Sequence, residues 1–105
     1  MPVNNSQRAL PAPELIATMT GASVLIGTLL YSPAIIVFDN QSTVSVVLSI
    51  GNVSWKTFTA GEAIVLDLRA AHGLAANFTF DVGTKFYGNG ASGDFSISYI
   101  YAKNL

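Results

Sequence analysis

The feature that most constrains the fold is a period of two in the hydrophobic residues of the second half of the chain. From Thr43 to Gly51 every second residue is valine, leucine or isoleucine, and Ala63 to Arg69 repeats the pattern with isoleucine and leucine. From Asp94 to Ala102 aromatic and aliphatic side chains alternate with serines and one isoleucine. A period of two directs one face of a strand to a core, so all three segments are predicted to be half-buried β-strands.

Turn-forming residues separate these strands at Asp39–Ser42, Gly51–Asn52, Ala60–Glu62 and Gly88–Gly93. Glycine, asparagine and aspartate adopt or stabilise the backbone conformations of tight turns. Strands recur about every eight to twelve residues, which is the spacing of a sandwich or jelly roll. We therefore predict an all-β fold, an antiparallel β-sandwich or jelly roll in a single domain over residues 21–105.

Shorter segments complete the predicted sandwich. Further strands are expected at Ser54–Phe58, Asn77–Val82 and Thr84–Tyr87, and a short helical turn or crossover is expected at Arg69–Ala76. The large side chains expected to fill the core are Trp55, Phe58, Phe78, Phe80 and Phe86.

The first 20 residues have a different composition. Pro2, Pro11 and Pro13 lie there among small polar residues. Proline favours extended backbone and interrupts regular structure, so residues 1–20 are predicted to form an extended N-terminal arm.

A membrane span is an alternative for the segment from Leu15 to Phe38, which contains no charged residue. A transmembrane helix needs about 20 mostly apolar residues, so the segment is long enough. Two glycines and Pro33 interrupt it, and acidic rather than basic residues flank it. The pattern therefore favours two strands, Ser23–Tyr31 and Ala34–Asp39, over a helix.

Charge and cysteine content exclude several function classes. Five lysines and arginines against six acidic residues give a net charge of -1, and 10% of the chain is charged, compared with about 25% in an average soluble domain. This balance cannot form the basic stripe that nucleic acid binding requires. The absence of cysteine excludes disulfides and thiolate metal sites. This low charge content predicts that other copies of the chain or partner proteins cover part of its surface. A homotrimer or another homo-oligomer is therefore expected.

Residues that could carry chemistry are few and scattered. His72 is the only histidine, which leaves no second imidazole for a metal site, and it is interpreted as a loop residue. Asp39, Glu62, Asp67, Asp81 and Asp94 stand singly, without the spacing of a calcium loop. Asp94 follows the glycine run and is interpreted as the cap of that turn rather than as an ion ligand. We therefore predict a protein that is not an enzyme and that has no catalytic residues, cofactor or metal.

Carbohydrate binding is a further alternative. Trp55, Tyr87, Tyr99 and Tyr101 are the candidates for a platform on which sugar rings would stack. Such a platform requires at least two aromatic side chains exposed on one face. Trp55 lies beside Lys56 between two turns, a context that favours an anchor in a core or an interface.

Four short motifs mark the turns and strands of residues 35–102. They are FDNQ at Phe38–Gln41 after an aliphatic strand, AGE at Ala60–Glu62 before VLDLR at Val65–Arg69, GTKFY at Gly83–Tyr87, and a tyrosine-rich final strand through Ile100–Ala102. With these motifs the chain resembles a group of small virion proteins of tailed bacteriophages. These proteins resemble capsid decoration (cement) proteins and tail or neck accessory proteins, which are jelly-roll sandwiches that work as multimers.

The resemblance implies a structural protein of the virion, made in the host cytoplasm, that contacts the major capsid protein or other virion proteins. It also implies that the N-terminal arm lies on a neighbouring subunit. The strand Asp94–Ala102 is expected to be a sheet edge that can accept such an arm. Asp67 and Arg69 are expected to pair between subunits. The expected contact residues are Leu15, Ile16, Leu25, Ile26, Asp67, Arg69, Tyr99 and Tyr101.

Overall fold

The computed structural model describes residues 7–68 and 80–104, with the side chains of residues 10–68 and 80–101. The elements with both ends inside these ranges are all β-strands. The strands are β1 Gln7–Pro11, β2 Leu15–Thr18, β3 Ser23–Thr28, β4 Ile35–Asn40, β5 Val46–Ile50, β6 Val53–Phe58, β7 Ala63–Asp67, β8 Lys85–Gly90 and β9 Asp94–Asn104. His72, Phe78, the predicted crossover Arg69–Ala76 and most of the predicted strand Asn77–Val82 lie outside the described residues.

The strands form two antiparallel sheets that pack face to face. Sheet A has the order β1-β9-β4-β7, with β2 paired to β9 next to β1, and sheet B has the order β3-β8-β5-β6. Because β1 and β2 follow each other along the same side of β9, they act as one interrupted strand. Apart from this interruption and the β5–β6 hairpin, strands that follow each other in the described ranges lie in different sheets. This arrangement is an eight-position jelly roll, and the predicted all-β sandwich is confirmed.

The period of two in the sequence is reflected in the burial of the strands. In β5, Val46 and Leu48 are completely buried, whereas Val47 between them is half-buried on the outside of sheet B. In β9, the odd-numbered residues from Phe95 to Tyr99 face the other sheet and are buried. One face of each of these strands therefore forms the core.

The charge-free segment folds as strands β2, β3 and β4. The predicted strands Ser23–Tyr31 and Ala34–Asp39 correspond to β3 and β4. Within residues 7–68 and 80–104, no helix is long and apolar enough to cross a membrane.

Phe38 lies at the centre of the core. The ring centroids of Trp55, Phe86, Phe58 and Phe80 lie 5.2, 5.5, 6.2 and 6.3 Å from that of Phe38. These four pairs are tilted or edge-to-face, which are geometries that aromatic pairs prefer. Four of the five predicted core aromatics are therefore confirmed, and Phe38 joins them together.

The N-terminal segment is part of the sandwich from residue 7 onward. β1 pairs with residues 100–104 of β9, and β2 pairs with residues 94–97. The prediction of a separate arm over residues 1–20 is corrected for this part: the segment is extended, but it pairs within its own chain. β9 is therefore an inner strand between β4 and β1/β2, and the expectation that it is a sheet edge is wrong. The physical reason is that β1 and β2 satisfy the backbone groups of β9, while Leu15 and Ala17 add apolar side chains to the core.

A buried polar cluster, the Asn40 tie, holds together the corner where β4, β5 and β6 meet. The Nδ2 group of Asn40 donates hydrogen bonds to the carbonyl oxygens of Val44 and Thr59, both at 2.9 Å, and lies 3.3 Å from that of Phe58. Its Oδ1 atom accepts hydrogen bonds from the backbone N–H and the hydroxyl of Ser42, at 3.1 and 2.7 Å. Asn40 is completely buried, and a buried amide requires such partners. The FDNQ motif therefore links the two sheets.

Candidate interaction surface

The outer face of sheet A carries a shallow apolar groove, called here the sheet A groove. It encloses about 210 Å³ and is lined by Pro11, Ala12, Ile35, Val37, Ser98, Tyr99 and Ile100. The register of the sheet builds its floor, because Ile35 lies opposite Ile100 and Val37 lies opposite Ser98. Sites for drug-sized ligands typically measure about 300–1,000 Å³, so this groove is better suited to side chains of a protein partner.

Val65 continues the apolar surface beyond the groove. It lies on β7 opposite Val37 of β4, and 62% of its surface is exposed. An antiparallel sheet with one solvated face normally alternates apolar and polar residues, but β4 has aliphatic residues on both faces. The outer face of sheet A therefore has the composition of a surface that another molecule covers.

Carboxylates surround this apolar surface and are called here the acidic rim. Asp39 lies opposite Ser96, and Asp67 lies opposite Ile35. Asp94 lies opposite Thr18, whose hydroxyl donates a 2.6 Å hydrogen bond to its carboxylate. Among the described side chains, the outer face of sheet A has no lysine or arginine.

Tyrosines fix the end of the sandwich at the β3–β4 loop. The Tyr99 hydroxyl oxygen accepts hydrogen bonds from the backbone N–H groups of Leu30 and Tyr31, at 3.0 and 3.4 Å. The ring of Tyr31 stacks on that of Tyr101, with centroids 3.9 Å apart and planes 8° from parallel. Desolvation of its hydroxyl, followed by its hydrogen bond with Tyr31, raises the pKa of Tyr101.

The AGE turn is closed by Glu62. The Glu62 Oε1 atom accepts a 2.9 Å hydrogen bond from the backbone N–H of Thr59, and its Oε2 atom lies 3.3 Å from the ammonium of Lys56. The bond from Thr59, and to a lesser extent the charge of Lys56, lower the pKa of Glu62. This motif, like FDNQ, therefore stabilises a connection between the sheets.

Two of the predicted contact residues are core residues. Ile26 is 5% exposed and Tyr99 is 4% exposed, so neither side chain is available to a partner, and these two predictions are wrong. Ile26 is the extra residue of the β3 bulge and is buried, whereas Leu25 before it is exposed. Tyr99 lies on the same side of β9 as two buried residues. Leu15 is half-buried and packs against Gly27.

The other predicted contact residues lie on different surfaces. Ile16, 49% exposed, is on the outer face of sheet A, whereas Leu25, 48% exposed, is on the outer face of sheet B. Tyr101 is in the tyrosine stack, and Asp67 is in the acidic rim. Arg69 lies outside the described residues, so its expected pairing with Asp67 stays a prediction.

The four aromatic residues considered for sugar binding do not share a face. Trp55 packs against Phe38 in the core, and Tyr99 is buried. Tyr87 is on the outer face of sheet B, and Tyr101 stacks on a second tyrosine at one end of the sandwich. A common stacking platform is therefore not formed by these residues.

Sequence reasoning missed the groove residues Ile35, Val37, Ile100 and Pro11, together with Val65. The sequence of β4 does indicate Ile35 and Val37, because the run IIVF has aliphatic or aromatic residues at both odd and even positions. In a strand, this pattern predicts burial of both faces.

Within the part of the chain that the structure describes, no group of three histidine, cysteine, aspartate or glutamate residues is arranged to hold a metal ion. Comparison of the chain with protein-family models, curated proteins and solved structures finds no match.

Proposed function

We propose that this chain is a non-enzymatic structural protein of a phage virion, which decorates the assembled capsid and docks on it through the outer face of sheet A. The observation that carries the proposal is the sheet A groove with Val65 beside it, an apolar exterior on a chain in which only 10% of residues are charged. The motifs of residues 35–102 supply the setting, because they resemble phage virion proteins. Jelly rolls recur among viral capsid proteins, which agrees with this assignment.

The chemistry of the surface defines its partner. The groove suits an aliphatic ridge of the shell, and the hydroxyl of Ser98 offers a neutral hydrogen-bonding group within it. No charged side chain lines the groove, so docking avoids the desolvation cost of a buried charge. Asp39 and Asp94 of the acidic rim favour lysine or arginine beside the ridge, which would orient the protein as it docks.

Docking of this kind stabilises a shell by mass action. A protein that binds the assembled shell and not its separate subunits stabilises it by about 2.7 kcal/mol per site when its free concentration is about one hundred times the Kd. Because a shell offers many equivalent sites, individually weak contacts add up. The mechanism requires a binding surface and no reaction.

A pair of matched substitutions tests the docking surface. Val37→Lys places a charge in the sheet A groove, and Val47→Lys places the same charge on a half-buried valine outside sheet B. Each variant is mixed with purified particles that lack this chain, and binding is measured by cosedimentation. We expect Val37→Lys to weaken binding by at least about tenfold and Val47→Lys to leave it unchanged, because only the first removes apolar contact with the shell. Circular dichroism establishes that both variants are folded.

Equal binding by Val37→Lys and the unchanged chain would refute the assignment of the docking face. Failure of the unchanged chain to bind assembled particles would refute the decoration role. Quantitative mass spectrometry of purified virions distinguishes the alternative of a tail or neck accessory protein. A copy number close to that of the major capsid protein supports decoration, whereas a small multiple of three or six supports a tail or neck location.

A further inference from the structure

The two sheets have four edges, and three of them carry features that prevent pairing with another strand. The edge formed by β1 and β2 is interrupted between Pro11 and Leu15 and contains prolines. The β3 edge has a bulge between Leu25 and Gly27. Proline, bulges and inward-pointing charges are the devices by which natural sheets avoid edge-to-edge association.

The β6 edge combines two of these devices. Trp55 is an extra residue in the pairing of β6 with β5, which makes a bulge. Lys56 lies opposite the buried Leu48, on the inner side of β6, and its partly exposed ammonium reaches the rim of the sandwich, where it pairs with Glu62 and lies 5.3 Å from the ring centroid of Phe58. A neighbouring strand at this edge would meet a kinked backbone and the charge of Lys56.

The β7 edge has none of these features. Its five residues, AIVLD, pair with β4 without a register shift and include no proline or lysine. Among the described residues, β4 is the only strand paired with β7. The sequence therefore protects three edges and leaves β7 regular.

We propose that β7 is a self-association site, at which the β7 strands of two copies of this chain pair antiparallel around a two-fold axis at Val65. This pairing would join the two copies of sheet A into one continuous sheet. It goes beyond the proposed docking to a shell, because it concerns the edge of the sheet and needs no shell partner.

The backbone of β7 selects the register. Leu68 donates its N–H to the carbonyl of Ala34, and Asn40 donates its N–H to the carbonyl of Glu62, both at 2.9 Å. The even-numbered residues of this segment therefore direct their backbone groups to β4. Because this direction alternates along an antiparallel strand, the N–H and C=O of Val65 point away from β4, to the side of β7 on which the described residues place no strand. Two copies of Val65 facing each other can exchange both hydrogen bonds.

Side chains in this register are self-complementary. Val65 meets Val65 of the second copy on the outer face, next to Val37 of each chain, so the apolar surface continues across the axis. Ile64 meets Leu66 of the second copy on the inner face. Asp67 of each copy meets Ala63 of the other. The two Asp67 positions are about 13 Å apart along the strands, which exceeds the Debye length of about 8 Å at physiological salt, so their mutual repulsion is screened. This complementarity is what favours a second copy over a strand of another protein.

Cysteine crosslinking tests the geometry directly. The natural chain has no cysteine, so Val65→Cys introduces its only thiol. Residues of a hydrogen-bonded antiparallel pair have Cα atoms about 5.5 Å apart, within the range of about 4.4–6.8 Å that a disulfide spans. We expect rapid oxidation of Val65→Cys to a disulfide-linked dimer. Val53→Cys is the matched control, because Val53 is also a valine at a sheet edge and is 69% exposed, but it lies on the protected β6 edge. We expect Val53→Cys to crosslink at least about tenfold more slowly than Val65→Cys.

Charge substitutions test the association without a covalent bond. Sedimentation velocity from micromolar to millimolar concentration should show the unchanged chain and Val53→Lys as dimers. Val65→Lys and Val65→Glu should each raise the dimer dissociation constant by at least about tenfold, because like charges face each other across the axis. A mixture of the two variants should dimerise again, since opposite charges then face each other, and this recovery also shows that both variants are folded.

Three outcomes would overturn the proposal. They are a monomeric unchanged chain at every concentration, dimerisation that Val65→Lys leaves intact, and crosslinking of Val65→Cys no faster than that of Val53→Cys.

Discussion

Replacing Asn40 with alanine should remove a large part of the stability of the fold. The Nδ2 group has two hydrogens for three nearby carbonyls and so makes two full hydrogen bonds. Oδ1 accepts a third from the backbone N–H of Ser42, and it shares the single hydroxyl hydrogen of Ser42 with the carbonyl oxygen of Val44. At about 1 kcal/mol net for each of the three full bonds, the expected loss is about 3 kcal/mol.

Urea denaturation followed by the fluorescence of Trp55, the only tryptophan, measures this loss. A loss of about 3 kcal/mol is a large share of the 5–15 kcal/mol typical of a domain and should lower Tm by at least about 12 °C. Asn52→Ala is the matched control, because Asn52 is exposed in the β5–β6 turn, and it should change stability by less than about 0.5 kcal/mol.

Asn40→Asp adds a dependence on pH. At pH 7 the carboxylate cannot donate to the surrounding carbonyl oxygens, so this variant should be less stable than Asn40→Ala. Burial against these oxygens raises the carboxyl pKa in the folded protein above its unfolded value of about 3.9. The stability of the variant is therefore greatest below about pH 3.9 and is lost as the pH rises through the raised folded-state pKa. Its deficit relative to the unchanged chain should shrink from pH 7 to pH 4. A loss under about 1 kcal/mol for Asn40→Ala, or a deficit of Asn40→Asp that does not change with pH, would refute the assigned role of the tie.

Three other predictions concern single contacts. Gly93→Ala should lower the free energy of unfolding by about 3 kcal/mol or more, and Gly83→Ala should lower it by about 1 kcal/mol. Both glycines have positive φ, but only a Cβ at position 93 overlaps Ser42 of the Asn40 tie. Equal losses in thermal unfolding would contradict this contact. NMR titration should give Glu62 a pKa below its ordinary value, and Lys56→Met should leave most of this depression, because its largest cause is a backbone N–H. Since the folded-state pKa of Glu62 is lowered, its stabilising contribution is present at neutral pH and is lost as the pH falls through that value; an unshifted pKa would contradict the bonding of the turn. Tyr99→Phe should cost about 1–2 kcal/mol and accelerate hydrogen exchange at the two loop amides that donate to its hydroxyl, and unchanged exchange there would count against this anchoring.

Strands with one face in the core were predictable from the sequence, and strands defined by distant partners were not. β5 and β9 show a clear period of two because each has one face in the core. β1 and β2 have only five and four residues, and what makes them strands is their pairing with β9, more than 75 positions later in the chain for every pair. A local pattern contains no information on such a partner, and the prolines of this segment by themselves predict an extended arm.

Uniformly apolar segments also limit what the sequence can predict. In β3, Leu25 and Ile26 are consecutive and equally hydrophobic, and the structure exposes Leu25 and buries Ile26 at the bulge. The sequence contains no signal that distinguishes these two residues. Tyr99 was predictable as a core residue, because the period of two already places it with Phe95 and Ile97. Its hydroxyl is buried without cost because the β3–β4 loop supplies two donors.

The sheet A groove and the β7 edge both depend on which strands are neighbours in a sheet. Only the order of the strands establishes these neighbours. The groove combines residues from positions 11 to 100, and the strand expected at an edge, β9, is inside the sheet. Val37 and Val65 lie on the outer face, so their side chains contribute little to the core. Val65→Lys should therefore change the free energy of unfolding by less than about 0.5 kcal/mol, because Val65 is well exposed. Val37→Lys should change it by more, because Val37 is half-buried. If shell binding is lost in Val37→Lys and self-association in Val65→Lys while both chains stay folded, these valines are explained by contacts with other molecules and not by the requirements of folding.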